Sequence, residues 1–177
     1  MSLYGGMDNE LNKTHERQRW AAMQRVDFSK YQSDIKTALQ YYGKPPPKRI
    51  PVKKNRRQKL KFDVIDKPCN ICGNNLHYEP GVKVGPKNHF SATIEHKLPW
   101  RLGGTNKRDN LDGQMCYACN NARGLVLRKG NQEGRRWSEE FITRYIRWLN
   151  LQYDDFEASQ ILFPDLHNDF VDSWKSM

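Results

Sequence analysis

No run of the 177 residues is apolar over the roughly 20 positions that a membrane-spanning helix requires. The first residues lack the charged-then-apolar order of a secretory signal. Both absences lead us to expect an intracellular, cytoplasmic protein with no membrane partner, whose four cysteines stay reduced. Apolar side chains are also scarce. Leu, Ile, Val and Phe together supply about a fifth of the chain, near the lower edge for a packed globular protein. The length suits one main domain with extensions, so part of the chain is expected to lie outside a core. Acidic residues are in deficit, with 20 Asp and Glu against 30 Lys and Arg and a net charge of +10. That imbalance favours a polyanion, nucleic acid above all, as partner.

Four segments follow from the pattern. Residues 1–43 form an N-terminal helical extension: helix is expected over 8–42, with Trp20, Ala22 and Met23 as a thin apolar stripe and Tyr31, Ile35, Leu39 and Tyr42 as a second one. Gly43 and Pro45 to Pro47 end it. Residues 44–61, "KPPPKRIPVKKNRRQKLK", hold nine Lys or Arg, no acid and four prolines, which reads as an extended basic arm. Lys53, Lys54, Arg56 and Arg57 are its candidate phosphate contacts. Residues 62–130 form the core segment, with a short strand through Phe90, Ala92 and Ile94 ending near His96, a second strand in "NLDGQMC", and a helix in "YACNNARGLVLRKG" that stops at Gly130. Residues 131–177 carry an amphipathic helix and a tail. Ser138 is the expected N-cap, and Phe141, Ile142, Tyr145, Ile146, Leu149 and Tyr153 the expected buried face.

Cysteine spacing gives the sharpest chemical signal. Cys69 and Cys72 form one C-x-x-C and Cys116 and Cys119 another. Two such pairs complete a tetrahedron around one ion, and four thiolates with no open position make that ion a structural zinc. Free buried thiols or redox dithiols would need two unrelated coincidences of spacing. Between the pairs lie 43 residues, including most of "TIEHKLPWRLGGTNKRDNLDGQMCYACNNARG", Thr93 to Gly124.

The order of features in that stretch is Glu-His, proline three residues after the His, double glycine, Asn-Leu, and C-x-x-C followed by an amide residue. It resembles the HNH endonuclease family, in the branch whose core is braced by four cysteines and which is common in phage and mobile elements. The resemblance covers about residues 67–126. It implies an α+β fold: a zinc-braced ββα-metal core, here flanked by N-terminal and C-terminal helices. It also implies a divalent-metal-dependent endonuclease that hydrolyses DNA phosphodiester bonds and leaves a 5′-phosphate. One such site cuts one strand, so a double-strand break needs a homodimer or two visits.

Residue roles follow by position. Histidine's ordinary pKa near 6.5 suits His96 to general-base work. Glu95 offers a hard oxygen for Mg2+ or Mn2+. In a regular strand these neighbours would point to opposite faces, so the pair must lie where the strand ends or bends. The resemblance makes Asn120, directly after the second C-x-x-C, the other ligand of the catalytic ion, where the family commonly has histidine; Asn121 is its rival. It makes Asn110 the brace of the loop that positions the base. Gly103 and Gly104 permit a tight loop path. Arg101, Lys107, Arg108 and Arg123 are candidate phosphate contacts. Two other functions fit the same residues, an RNA-directed nuclease and a non-catalytic zinc module that only binds nucleic acid.

Overall fold

The computed structural model describes residues 7–41, 44–45, 47–132 and 138–177. In chain order the elements are α1 (Met7–Arg25), α2 (Gln32–Tyr41), α3 (Lys54–Phe62), β1 (Ala92–His96), β2 (Leu111–Cys116), α4 (Tyr117–Gln132), α5 (Glu139–Asp154), α6 (Phe156–Leu162) and α7 (Pro164–Lys175). The chain is α+β: β1 and β2 form a two-stranded antiparallel sheet among many helices. None of the helices among the described residues is long and apolar enough to cross a membrane.

The N-terminal segment departs from a single helix. At Asp27 the backbone extends (φ −90°, ψ 92°) and its carboxylate accepts a hydrogen bond from the Ser29 N–H at 3.0 Å. That contact starts a short 3-10 turn at Phe28–Tyr31 leading into α2. An Asp satisfying its own downstream amide competes with helix continuation, and the break re-aims the chain. Tyr31 and Ile35 are buried and Leu39 is half-buried; Tyr42 and Gly43 lie outside the described residues. The first stripe is corrected: Ala22 is buried, but Trp20 is 67% and Met23 54% exposed. α1 is held against α6 instead by Arg25, whose guanidinium donates to Asp155 at 2.7 Å and Glu157 at 2.8 Å.

The basic arm is extended only in its first half. Once Pro51 has been passed, α3 forms from Lys54 and buries none of its own residues. It crosses β2 at Gly113, where an added Cβ would lie 2.6 Å from the Leu60 carbonyl oxygen. Glycine is what allows that approach.

C-terminal helices follow from clear local signals. The Ser138 hydroxyl accepts the Phe141 N–H at 3.0 Å and caps α5, with Glu139 and Glu140 in the positive first turn. Burial on α5 is wider than one stripe. Trp148, Leu151 and Gln152 are buried beside Ile142, Tyr145, Ile146 and Leu149, while Phe141 and Tyr153 are half-buried. The reason is that α2 and α6 both pack on this helix. The acidic-aromatic tail docks as α7, burying Leu166 and Phe170 and packing on α4. α4 itself runs two residues past Gly130. A single apolar cluster passes from Ala22 through the sheet and the cysteines to Phe170, so the extensions share one core with the strand pair.

Candidate active site and metal centre

The four cysteine sulfurs all lie within 4.8 Å of one another. A tetrahedral zinc with bonds near 2.3 Å requires sulfurs roughly 3.8 Å apart, and Cys72 Sγ and Cys116 Sγ are separated by 3.8 Å. Three polar hydrogens already point at the sulfurs: Cys116 N–H to Cys69 Sγ and Cys119 N–H to Cys116 Sγ, both at 3.4 Å, and Asn74 Nδ2 to Cys72 Sγ at 3.3 Å. Donors of this kind suit thiolates. Mutual sulfur contacts, with Cys116 and Cys119 foremost, push the Cys72 thiol far below its ordinary pKa, and contacts with Cys116, Cys69 and Cys72 push Cys119 far above it. Four cysteines are therefore placed to bind a metal ion, and a cation is what would let all of them give up their protons together.

Between the cysteine pairs, β1 and β2 run antiparallel with Ala92 opposite Cys116, Thr93 opposite Met115, Glu95 opposite Asp112 and His96 opposite Leu111. From Thr93 to Glu95 is two steps, against three on β2. The register shift therefore puts the extra residue on β2, between Asp112 and Met115. β1 ends at His96, so the Glu-His pair lies at a strand end. Glu95 and His96 both line one cavity of about 330 Å3, together with Asn120, Asn121, Arg123 and Arg49.

Glu95 is buried, 8% exposed, with Arg123 Nη1 3.7 Å from its Oε1. Burial pushes its carboxyl up to about 7; Arg123 works against that shift and Asp112 adds to it. The carboxylate thus lacks full compensation for its charge, the condition in which a bound cation stabilises most. Asn120 offers a second oxygen. The Thr93 hydroxyl spends its hydrogen on the Met115 carbonyl at 2.9 Å, so it must accept from Asn120 Nδ2 at 3.0 Å. That orients the amide, leaving Oδ1 with no donor among the described residues. Asn121 also lines the cavity, but its Nδ2 is directed to the Met177 sulfur at 3.1 Å.

Beyond His96, Asn110 spans the following loop. Its Oδ1 accepts the Leu98 N–H at 2.8 Å, and its Nδ2 donates to the Leu98 carbonyl at 3.2 Å and the Thr105 carbonyl at 2.9 Å. The double glycine makes that closure possible. Gly103 has φ +88°, and a Cβ on Gly104 would sit 1.7 Å from the Leu98 oxygen.

The sequence-derived cations divide sharply. Arg101 is exposed beside the cavity, 5.5 Å over the Trp100 ring, and Lys107 and Arg108 are exposed on the outer loop. Lys53, Lys54, Arg56 and Arg57 are exposed at the start of α3. Arg123, the fourth candidate phosphate contact, lines the cavity but is buried. It is 1% exposed, pairs with Glu95, and donates to the Tyr153 hydroxyl at 2.9 Å. Its Nε and Nη2 have no hydrogen-bond partner among the described residues. Sequence reasoning missed three contributors. Arg49 comes from the arm, Tyr145 lines the cavity from α5 and donates to the Arg123 carbonyl at 3.1 Å, and Asn106 Oδ1 lies 2.8 Å from His96 Nε2 as an acceptor. Only the arm's charge signalled the first of these; the others depend on long-range packing. Comparison of the chain with family models, curated proteins and solved structures finds no match.

Proposed function

We propose that this chain is a metal-dependent endonuclease of the HNH type acting on DNA. The observation that carries the reading is the convergence of Glu95, His96 and Asn120 on one cavity, beside a sheet and helix tied together by four cysteines. The cysteine cluster would hold zinc as a structural ion. Glu95 and the Asn120 Oδ1 would hold Mg2+ or Mn2+, both being hard oxygen donors. Such an ion supplies positive charge where a phosphodiester accumulates negative charge. His96 takes the proton from the attacking water. Asn110 keeps the loop after His96 closed, and Arg123 steadies Glu95 from beneath. Arg49 and Arg101 stand at the cavity to meet the flanking phosphates.

Incubating the purified protein with supercoiled plasmid, single-stranded DNA and RNA, each with Mg2+ or with EDTA, tests the assignment. Plasmid nicking or linearisation that EDTA abolishes is the expected result. Cleavage confined to RNA would transfer the reading to an RNA-directed nuclease, and binding without cleavage would leave a non-catalytic zinc module. Because the metal-free Glu95 carboxyl is protonated below about 7, protons compete with the ion. The Mg2+ concentration for half-maximal rate should rise as pH falls through that value.

Exposed cations on the arm would supply grip without reading sequence. Replacing Lys53, Lys54 and Arg57 by Gln should make the log-log salt slope of duplex binding shallower by up to about 2.7, at about 0.9 per phosphate contact. An unchanged slope would show that these three side chains do not touch the backbone.

A further inference from the structure

We propose that Asn106 is a positioning residue that fixes the tautomer of His96, and that the basic arm holds Asn106 in place. The hydrogen-bond directions decide this. Asn106 Nδ2 donates to the Ile50 carbonyl at 2.7 Å. A carbonyl only accepts, so the amide nitrogen faces the arm and Oδ1 faces His96 Nε2, 2.8 Å away. An amide oxygen also only accepts, so Nε2 must carry the hydrogen. Neutral imidazole has one N–H; Nδ1 is therefore the bare nitrogen. The Asn106 backbone is tied to the same arm, its carbonyl accepting from Arg56 Nη1 at 2.7 Å. On its other side, Asn110 anchors the loop through Thr105.

The arm is thus part of the site as well as a source of charge. Ile50 and Arg56 clamp Asn106 from either end, and Arg49, next to Ile50, lines the cavity that holds Glu95 and Asn120. A second cavity of about 290 Å3, between Ile50, Trp100, Thr105 and Asn106, has His96 as a shared wall. The role for catalysis rests on His96 being the base of the proposed nuclease, and the atom that takes the proton from water is then Nδ1.

The test combines nitrogen NMR of the His96 ring in the intact, metal-loaded chain with steady-state cleavage, for wild type, Asn106→Ala, Asn106→Asp and Arg56→Ala. Wild type should show the single Nε2–H tautomer. Asn106→Ala should show shifts averaged between tautomers, with kcat down about a hundredfold, the order expected when a reacting group is misplaced by about 1 Å, and KM within about twofold. Asn106→Asp keeps an oxygen acceptor for Nε2–H but loses the donor to the Ile50 carbonyl, so it should retain the tautomer, with kcat between those of wild type and Asn106→Ala. Arg56→Ala should change both readouts in the same direction as Asn106→Ala, by less. Unchanged metal content and thermal midpoint would separate positioning from general damage; if Asn106→Ala fails that check, Arg56→Ala against Asn106→Asp decides. An Nε2–H tautomer unaltered in Asn106→Ala, or an altered tautomer with unchanged kcat, would overturn the proposal. Wild-type protein that cuts nothing would sink the nuclease reading, while the ring spectra would still decide whether Asn106 sets the tautomer.

Discussion

His96→Ala is expected to reduce kcat by about 10²- to 10⁴-fold, the contribution that a positioned general base typically makes. The structure limits what else the change can do. His96 is half-buried, and among the described residues its side-chain hydrogen bond is the one to Asn106, so the stability cost should be about 1 kcal/mol. Thermal unfolding should move by only a few degrees, since each kcal/mol corresponds to roughly 2–4 °C at this size. Duplex binding should persist because Arg49, Arg101 and the α3 cations are untouched. A folded variant that binds but does not cut separates the base from the grip. Undiminished turnover would remove His96 from the mechanism. Loss of binding together with cutting would mean that the ring had been supporting the surface rather than the chemistry.

What could be read from sequence was set by how local each determinant is. The Ser138 cap acts over three residues and the C-x-x-C pairs over four, and the structure has both where expected. The strand pair was legible from alternation, and the need for a strand end or bend at the Glu-His pair from the pleat alone; β1 does end at His96, while the irregularity of three β2 steps facing two on β1 had no signal in the sequence. The burial of Arg123 had no signal because "NNARG" says nothing of Tyr153, which arrives from α5 thirty residues later to cover it. Asn106 was invisible for the same reason. Its value lies in a bond to Ile50, 56 positions earlier, and no pattern in "GGTNKRDN" announces that. Exposure of Trp20 and Met23 has a similar origin, since the helix break at Asp27 decides which face of α1 meets α6.

Stripping metal from the four cysteines should have the largest effect on the fold. A two-stranded sheet is marginal in water without further support, and β1 and β2 are such a pair. Structural zinc in small modules contributes about 10–16 kcal/mol at neutral pH, as much as the roughly 5–15 kcal/mol that holds a typical domain folded. The cysteines join three parts of this chain: Cys69 and Cys72 in the loop after α3, Cys116 at the end of β2, and Cys119 in the first turn of α4. Removing the ion would leave four sulfurs crowded in a site where Cys69, Cys116 and Cys119 are buried, taking up protons and with no bond left to hold them together. Extraction by a strong chelator at neutral pH is therefore expected to unfold the β1–β2–α4 unit at 25 °C, exposing its amides to rapid hydrogen exchange. Activity should vanish with it, and Mg2+ alone should not restore it. Cys116→Ser, at a fully buried position, should produce the same state without chelator. The outcome that ends this account is a metal-free chain with the same unfolding midpoint and the same amide protection in β1 and β2. The cluster would then be four reduced thiols packed in a core that holds itself together, and the site above it would owe its geometry to α5 and the arm instead.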